Sequence, residues 1–251
     1  MDLTTTGWLL ALAAVFISGL SKTAFPGISV LGIVLLVLAF PGQERATPGL
    51  LLPLLLIGDL FAVGFYKKHT DWKTLRRLFP PVGVGLIAGW QLLQTFENDN
   101  QLYKLVLGVM LLSLICLDFL RKRFGDDHIP KSYYFALVMG FMAGIATTLA
   151  NAAGPIMAVY LLAIGSSKEK FMGCAAWFFF IVNMLKVPIY IQQDILTWES
   201  LRMDLYIVPG MILGAICGRP LLKIVSQRVF NTVIRALAAL GAIFMIYRSL
   251  G

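Results

Sequence analysis

The first apolar run of the chain, residues 7–40, constrains the fold more than any other stretch. It has 34 residues and one charge, Lys22, so it is too long for a simple membrane span and too apolar for a soluble loop. Pro26 lacks a backbone N–H, and Gly27 tolerates dihedrals that other residues resist. One helix is therefore predicted to end near Gly19 and a second to begin near Pro26. A bilayer tolerates freed peptide groups only where protein or a water-lined cavity satisfies them, so the break marks a candidate site.

The composition predicts an all-α integral membrane protein. Hydrophobic residues make up 59% of the chain and charged residues 14%, and the mean hydropathy is +0.82, which excludes soluble classes. The net charge of +8 comes from a few short loops, a pattern that orients a protein in the lipid bilayer and does not predict nucleic-acid binding. The first apolar run lacks the features of a cleaved signal and is expected to be retained.

No sequence motif for catalysis or for a cofactor is found. The three cysteines lack the spacing of a metal site or a disulfide pair. There is no zinc-ligand motif, nucleophile elbow or Walker loop. The sequence therefore predicts no enzyme activity, no cofactor and no metal.

The second half of the chain repeats the first. Four matches occur in the same order: FISGLSKTAFPG (16–27) with FMAGIATTLANAAGP (141–155), Asp59 with Asn183, each seven residues before a tyrosine, TDWKTLRR with LTWESLRM, and Gly85 and Gly89 with Gly214 and Gly218. Four ordered matches predict two repeats, residues 1–125 and residues 126–251, within one membrane domain.

The basic residues predict that the repeats are inverted. Residues 67–77 hold five Lys or Arg and the equivalent residues 192–202 hold one, whereas residues 95–100 hold none and the equivalent residues 223–228 hold two. Reversed charge requires each half to cross the membrane an odd number of times. Each repeat is thus predicted to be a broken helical hairpin followed by three transmembrane helices. A single long broken helix that crosses once, with parallel repeats, is the alternative.

This topology fixes the orientation of the chain. The three spans of the first half are predicted at residues 46–66, 78–94 and 101–120. The loops 67–77 and 121–131 are predicted to be cytoplasmic because they are rich in Lys and Arg. Both chain ends are then on the outer side of the membrane.

Charged and polar residues near the bilayer midplane predict a binding site for a small anion. Lys22, Asp59 and Lys186 sum to one positive charge, and each costs about 3 kcal/mol or more at such depth, so a functional role is the default. The helices that begin near Pro26 and Pro155 point positive dipole ends at the same region. The predicted substrate ligands are Lys22, Thr23, Phe25, Pro26, Gly27, Asn151, Gly154, Pro155, Asn183 and Lys186.

Several roles stay open from the sequence alone. Lys22 is either a ligand or the structural partner of Asp59, and Asp59 is either that salt-bridge partner or a proton carrier. Lys186 is either a second cation of the site or a side chain that snorkels to the membrane surface. Asn151 and Asn183 either bind an oxyanion or clasp two helices. The aromatic run 177–180 is interpreted as lipid-facing or packing bulk.

Three stretches resemble the TauE/SafE family of bacterial sulfite and organosulfonate exporters: GLSKTAFPG, PLLLIGDLFAVGFYKKHTDWKTLRRLFPP, and NAAGPIMAVYLL…KEKFMGCAAWFFFIVNMLKVPIY. The resemblance extends over nearly the whole chain. It implies a secondary transporter of the bacterial inner membrane that exports sulfite, sulfoacetate or a related small oxyanion, and the chain ends are then periplasmic. The partners expected are the small anion, the bilayer and a proton or other coupling ion, and a homo-oligomer is left open. An anion channel and an intramembrane enzyme or assembly subunit are the alternatives.

Overall fold

The computed structural model describes residues 4–26, 28–40, 47–95, 133–151 and 153–237. These residues form eight α-helices and no β-strand, as expected for an all-α protein: α1 Thr5–Thr23, α2 Ser29–Ala39, α3 Thr47–Tyr66, α4 Trp72–Thr95, α5 Tyr133–Ala150, α6 Ala153–Ala163, α7 Lys168–Gln192 and α8 Trp198–Ile224. Residues 227–237 are also helical. The predicted span 101–120, the predicted loop 121–131 and both chain ends lie outside the described residues.

Four of the described helical segments are long and apolar enough to cross a membrane. They are Thr5–Thr23, Thr47–His69, Lys168–Gln192 and Trp198–Ile224. The chain is therefore a multi-pass helical membrane protein.

The first apolar run breaks at the proline, but later than predicted. α1 continues to Thr23 and α2 begins at Ser29, with the buried Pro26 between them. The prediction that α1 ends near Gly19 is wrong, because a side chain at Gly19 would overlap the Met211 carbonyl of α8. This glycine permits close helix packing and does not end the helix.

The two helices of the broken run form a hairpin. A Cβ atom at Gly32 of α2 would lie 2.7 Å from the carbonyl oxygen of Ala14 in α1, and Leu36 and Ala39 share an apolar cluster with Ala11. The chain therefore folds back at the break, so the run is not one long broken helix.

The second break lies between α5 and α6. Asn151 ends α5 in the left-handed conformation with a φ of 53°, as asparagine often does at a helix C-terminus. The ring of Phe135 near the start of α5 stacks on Tyr160 near the end of α6, at 5.7 Å between centroids. This pair of helices is a hairpin as well.

The basic segment 67–77 is mostly helical, so its prediction as a loop is wrong. A 3-10 turn covers Lys67–His69, and α4 already begins at Trp72. The Asp71 side chain accepts hydrogen bonds from the backbone N–H groups two and three residues later, at 3.0 and 3.3 Å. This carboxylate cap starts the helix before its apolar part. Thr197 caps α8 at the equivalent place.

Residue contacts divide the chain into two compact units. One unit comprises Met1–Thr70 with Lys168–Phe230, and the other comprises Asp71–Ser167 with Asn231–Gly251. The first holds α1, α2, α3, α7 and α8, and the second holds α4, α5 and α6. Each unit draws on both halves of the sequence. The predicted repeats 1–125 and 126–251 concern internal similarity and stay a prediction.

Each unit contains the same helix contact. In the first unit α8 packs closely on α1, and in the second α4 packs closely on α5. Close approaches in these contacts include Gly214 to the Phe16 carbonyl and Gly218 to Thr23 in the first unit, and Gly85 to the Phe141 carbonyl and Gly89 to Thr148 in the second. In the alignment of the two halves, each of the two contacts in the first unit corresponds to one of the two contacts in the second. Glycines four residues apart let the backbones approach in both places.

The equivalent helices α3 and α7 pack against each other in opposite directions. Near their middles the side chain of Asn183 donates a hydrogen bond to Asp59 at 2.7 Å. A Cβ atom at Gly173, near the start of α7, would lie 2.9 Å from the carbonyl oxygen of Tyr66, at the end of α3. Asp59 and Asn183 are equivalent in the two halves, so equivalent positions meet in this contact.

Substitution of Gly85 tests the helix contact of the second unit. Gly85→Ala places a methyl group against the Phe141 carbonyl, and overpacking of this kind costs about 1–3 kcal/mol. We expect a lower unfolding temperature in detergent. Gly83→Ala on the same helix is the matched control, because no described atom lies within 4 Å of its Cβ position. Equal unfolding temperatures for the two variants would contradict the contact.

Candidate functional site

Lys22 and Asp59 form an ion pair in the interior of the first unit. The Lys22 Nζ lies 2.7 Å from Asp59 Oδ1, and the two side chains are 10% and 0% exposed. The Asn183 amide donates to the other oxygen, Oδ2, at 2.7 Å. Removal of one member of such a pair leaves an uncompensated buried charge. Of the two roles that the sequence left open for Lys22, the structure shows the pair with Asp59.

Three helices bring these groups together. Lys22 is in the last turn of α1, directly before the break. Its side chain passes Gly58 of α3, where a Cβ atom would lie 3.0 Å from the Lys22 Cγ. Asp59 follows that glycine and lies beside Asn183 of α7. The absence of a side chain at Gly58 thus gives Lys22 its route to the carboxylate.

Phe179 also contacts the ion pair, although the sequence analysis assigned it to packing. The Lys22 Nζ lies 4.6 Å from the centroid of its ring, within the range of a cation–π interaction. Phe179 is four residues before Asn183, so the two share one face of α7. This spacing was the signal that could have placed Phe179 in the site.

Lys186 is the second cation near the pair. It is fully buried, so it does not snorkel to the membrane surface. Its Nζ lies 5.4 Å from the Tyr190 ring, and it interacts electrostatically with both Lys22 and Asp59. The structure therefore places two lysines and one aspartate in the interior of the first unit.

The Thr23 carbonyl at the break is bonded to a side chain of the same unit. The hydroxyl of Tyr66 donates to the Thr23 carbonyl at 2.7 Å, and the Thr23 hydroxyl donates to the Ala215 carbonyl at 2.8 Å. Phe25 stacks on Phe230 with 6.0 Å between centroids. Thr23 and Phe25 therefore have structural contacts of their own. The sequence analysis used Tyr66 only as a marker of the repeat.

The amide groups at the start of α2 are partly occupied. Gly27 lies outside the described residues. The N–H of Ile28 donates to the Phe25 carbonyl at 3.2 Å, and the N–H of Ser29 donates to the Ser21 hydroxyl at 3.2 Å. Fewer amides than predicted are therefore open to a ligand at this helix N-terminus.

The other predicted ligands belong to the second unit. The backbone N–H of Asn151 donates to the Thr147 carbonyl at 3.0 Å. Gly154 and Pro155 lie in the first turn of α6, and no described atom lies within 4 Å of the Cβ position at Gly154. Asn183 and Lys186 are thus the second-half residues that the structure shows beside the ion pair.

A partly open cavity of about 240 Å³ lies at the end of α3. It is lined by Phe65, Tyr66, His69, Glu169, Arg219, Leu222 and Lys223. The guanidinium of Arg219 lies 4.8 Å from the centroid of the Phe65 ring. Tyr66 in the cavity wall donates a hydrogen bond to the Thr23 carbonyl at the break. Thr23 directly follows Lys22 in the sequence.

Comparison with known proteins gives one family. A family model described as Sulfite exporter TauE/SafE matches residues 10–245. The match spans most of the chain and every residue of the candidate site, so the resemblance inferred from the sequence is confirmed. No curated protein and no solved structure matches the chain.

The ion pair predicts a specific stability pattern. Lys22→Met leaves Asp59 without its cation, and breaking a buried pair costs about 3–5 kcal/mol. We expect a lower unfolding temperature and less folded protein, and we expect Asp59→Asn in the same chain to restore both, because the unpaired charge is then gone.

The control for this series is Lys73→Met, the same change at an exposed position of α4. It should leave the unfolding temperature unchanged. A Lys22→Met protein as stable as the wild type would show that the pair contributes nothing to the fold.

Proposed function

The chain belongs to the sulfite exporter TauE/SafE family, and from this premise we propose that it exports a small sulfur-containing anion, such as sulfite or an organosulfonate, across the bacterial inner membrane. Membership makes it a membrane transporter of sulfur anions. We propose in addition the identity of the substrate, the direction of transport and the location in the bacterial inner membrane. The observation that carries it is the placement of two lysines, Lys22 and Lys186, with one aspartate, Asp59, in the interior of the membrane helices.

A small anion suits this group of residues. Buried cations are costly in a bilayer, and an anionic ligand offsets their charge. Lys22 and Lys186 supply donors to the anion, and the Asn183 amide supplies a neutral one. Asp59 holds Lys22 when the site is empty and repels the ligand, so Lys22 is shared between them.

We infer that the two halves are inverted repeats. Three observations support this inference: the reversed charge of equivalent segments, the opposite directions of the equivalent helices α3 and α7, and the recurrence of one glycine contact in both units. A two-fold axis relating the halves passes where equivalent residues meet, between Asp59 and Asn183. In inverted repeats this axis lies in the membrane plane, so the site lies at the midplane. Asn151, Gly154 and Pro155 stay proposed ligands by their equivalence to the first break.

The same inference orients the site. The segment 67–77 is cytoplasmic and both chain ends are periplasmic in this topology. The cavity beside Tyr66 then faces the cytoplasm, where an exported anion begins its path. Arg219 and Lys223 in its wall raise the local anion concentration. Alternating access moves the anion from this side to the other around the midplane charges.

Binding to purified protein tests the site. Over a panel of sulfite, sulfoacetate, taurine, sulfate and thiosulfate, we expect at least one sulfur anion to bind. A charge-assisted contact is worth roughly 1.5–3 kcal/mol, so Lys186→Met should weaken that affinity by about one to two orders of magnitude. Lys73→Met is the control. Unchanged affinity in Lys186→Met would remove this lysine from the site.

Cysteine labelling tests the topology. Lys73 and Glu199 follow the equivalent tryptophans Trp72 and Trp198 and are exposed. In a background without the three native cysteines, a cysteine at 73 should react only from the cytoplasm and one at 199 only from the periplasm. Reaction of both from the same side would contradict the inversion.

A further inference from the structure

Asp204 is a buried carboxyl group that the proposed anion site does not use. It lies in the second turn of α8 and is 6% exposed, and neither of its carboxylate oxygens has a hydrogen-bond partner among the described residues. Met203 and Ile207, on either side of it in sequence, belong to the apolar cluster between α1, α2, α3 and α8. An ionised carboxylate at this place would be a buried charge without compensation, which proteins avoid.

Asp204 lies on the same face of α8 as Met211, which is close to the ion pair. Met211, seven residues later, lies next to Gly58 of α3, with its sulfur 3.1 Å from the Cβ position there, and Gly58 precedes Asp59. Seven residues of α-helix span about 10 Å. α8 begins on the periplasmic side in the proposed topology, so Asp204 lies about two helical turns from Met211, toward the periplasm.

No described cation faces Asp204. α1 and α3 pack on α8, and their ionisable residues are Lys22, Asp59 and Tyr66. The first two are paired with each other, and the hydroxyl of Tyr66 donates to the Thr23 carbonyl. All three lie toward the opposite end of these helices.

The polar residues of α8 near Asp204 are also engaged or turned away. Ser200, one turn earlier on the same face, exchanges hydrogen bonds with Thr197 in the capping box. Glu199 and Arg202 are exposed. A ligand of this carboxyl group must therefore be one that requires no second protein group.

We propose that Asp204 is a proton-binding site on the periplasmic side of the anion site, and that its loading with a proton is coupled to anion transport. The second part rests on the proposed function. A metal cation needs several oxygen ligands, and the described residues hold no cluster of three or more His, Cys, Asp or Glu. A proton needs only one carboxylate oxygen, and its binding removes the charge.

This assignment moves the role of proton carrier from Asp59 to Asp204. Both oxygens of Asp59 are already held, by Lys22 and by Asn183. Asp204 has neither contact.

Infrared spectroscopy of the purified protein without substrate tests the binding of the proton. The wild type should show the C=O band of a protonated carboxyl group at neutral pH, and alkaline buffer should remove it. Asp204→Asn should lose this band, and Glu199→Gln, an exposed acid on the same helix, should keep it. The same band in wild type and Asp204→Asn would overturn the proposal.

Two further measurements separate folding and transport from proton binding. Asp204→Leu should unfold at the wild-type temperature or above, because the buried polar group is gone, and a marked loss of stability would mean that the carboxylate is charged and compensated.

In proteoliposomes, anion flux should depend on external pH in wild type and Glu199→Gln and lose that dependence in Asp204→Asn. If Asp204 carries the band but no sulfur anion is transported, the proposed function fails and the proton site stands; retained pH dependence in Asp204→Asn overturns the coupling.

Discussion

The ion pair between Lys22 and Asp59 is the interaction on which the rest of the structure depends. A single charge at this depth in a bilayer costs about 3 kcal/mol or more, so neither residue is tolerated without the other. The pair exists because α1 breaks directly after Lys22 and because Gly58 leaves room for the lysine side chain. The break is made tolerable in turn by Tyr66, whose hydroxyl bonds to the Thr23 carbonyl. The break in α1 thus depends on Asp59 and Tyr66 of α3, and Asn183 of α7 completes the contacts of the carboxylate.

The proposed repeat accounts for the residues that meet at the ion pair. Equivalent positions of the two halves meet there as an acid and an amide, Asp59 and Asn183. Two acids at this point would repel each other and force one to bind a proton. With one acid and one amide, Lys22 and Asn183 hold both oxygens of the single carboxylate. In the proposed repeat, the helix contacts follow the symmetry and the residues of the site depart from it.

The sequence predicted the break, the deep charges and the family, because these depend on residue type and order along the chain. It misplaced the end of α1, because a glycine in a helix has the same local signal whether it ends the helix or admits a neighbour. At Gly19 the close contact with α8 shows that the glycine admits a neighbouring helix. The cation–π contact of Phe179 and the burial of Asp204 are also tertiary facts: an aromatic residue in an apolar run resembles packing, and an acid soon after a loop resembles a surface residue.

The flux of isotopically labelled sulfite into proteoliposomes is the most direct test of the central claim, that the buried charges form the transport site. The wild type should show flux that saturates with sulfite concentration. The double variant Lys22→Met with Asp59→Asn, which is expected to keep the fold, leaves the formal charge of the group unchanged but removes the Lys22 donor, so its flux should be at least tenfold lower, the loss expected from one charge-assisted contact. Wild-type flux that rises without saturation, or a double variant as active as the wild type, would contradict the account.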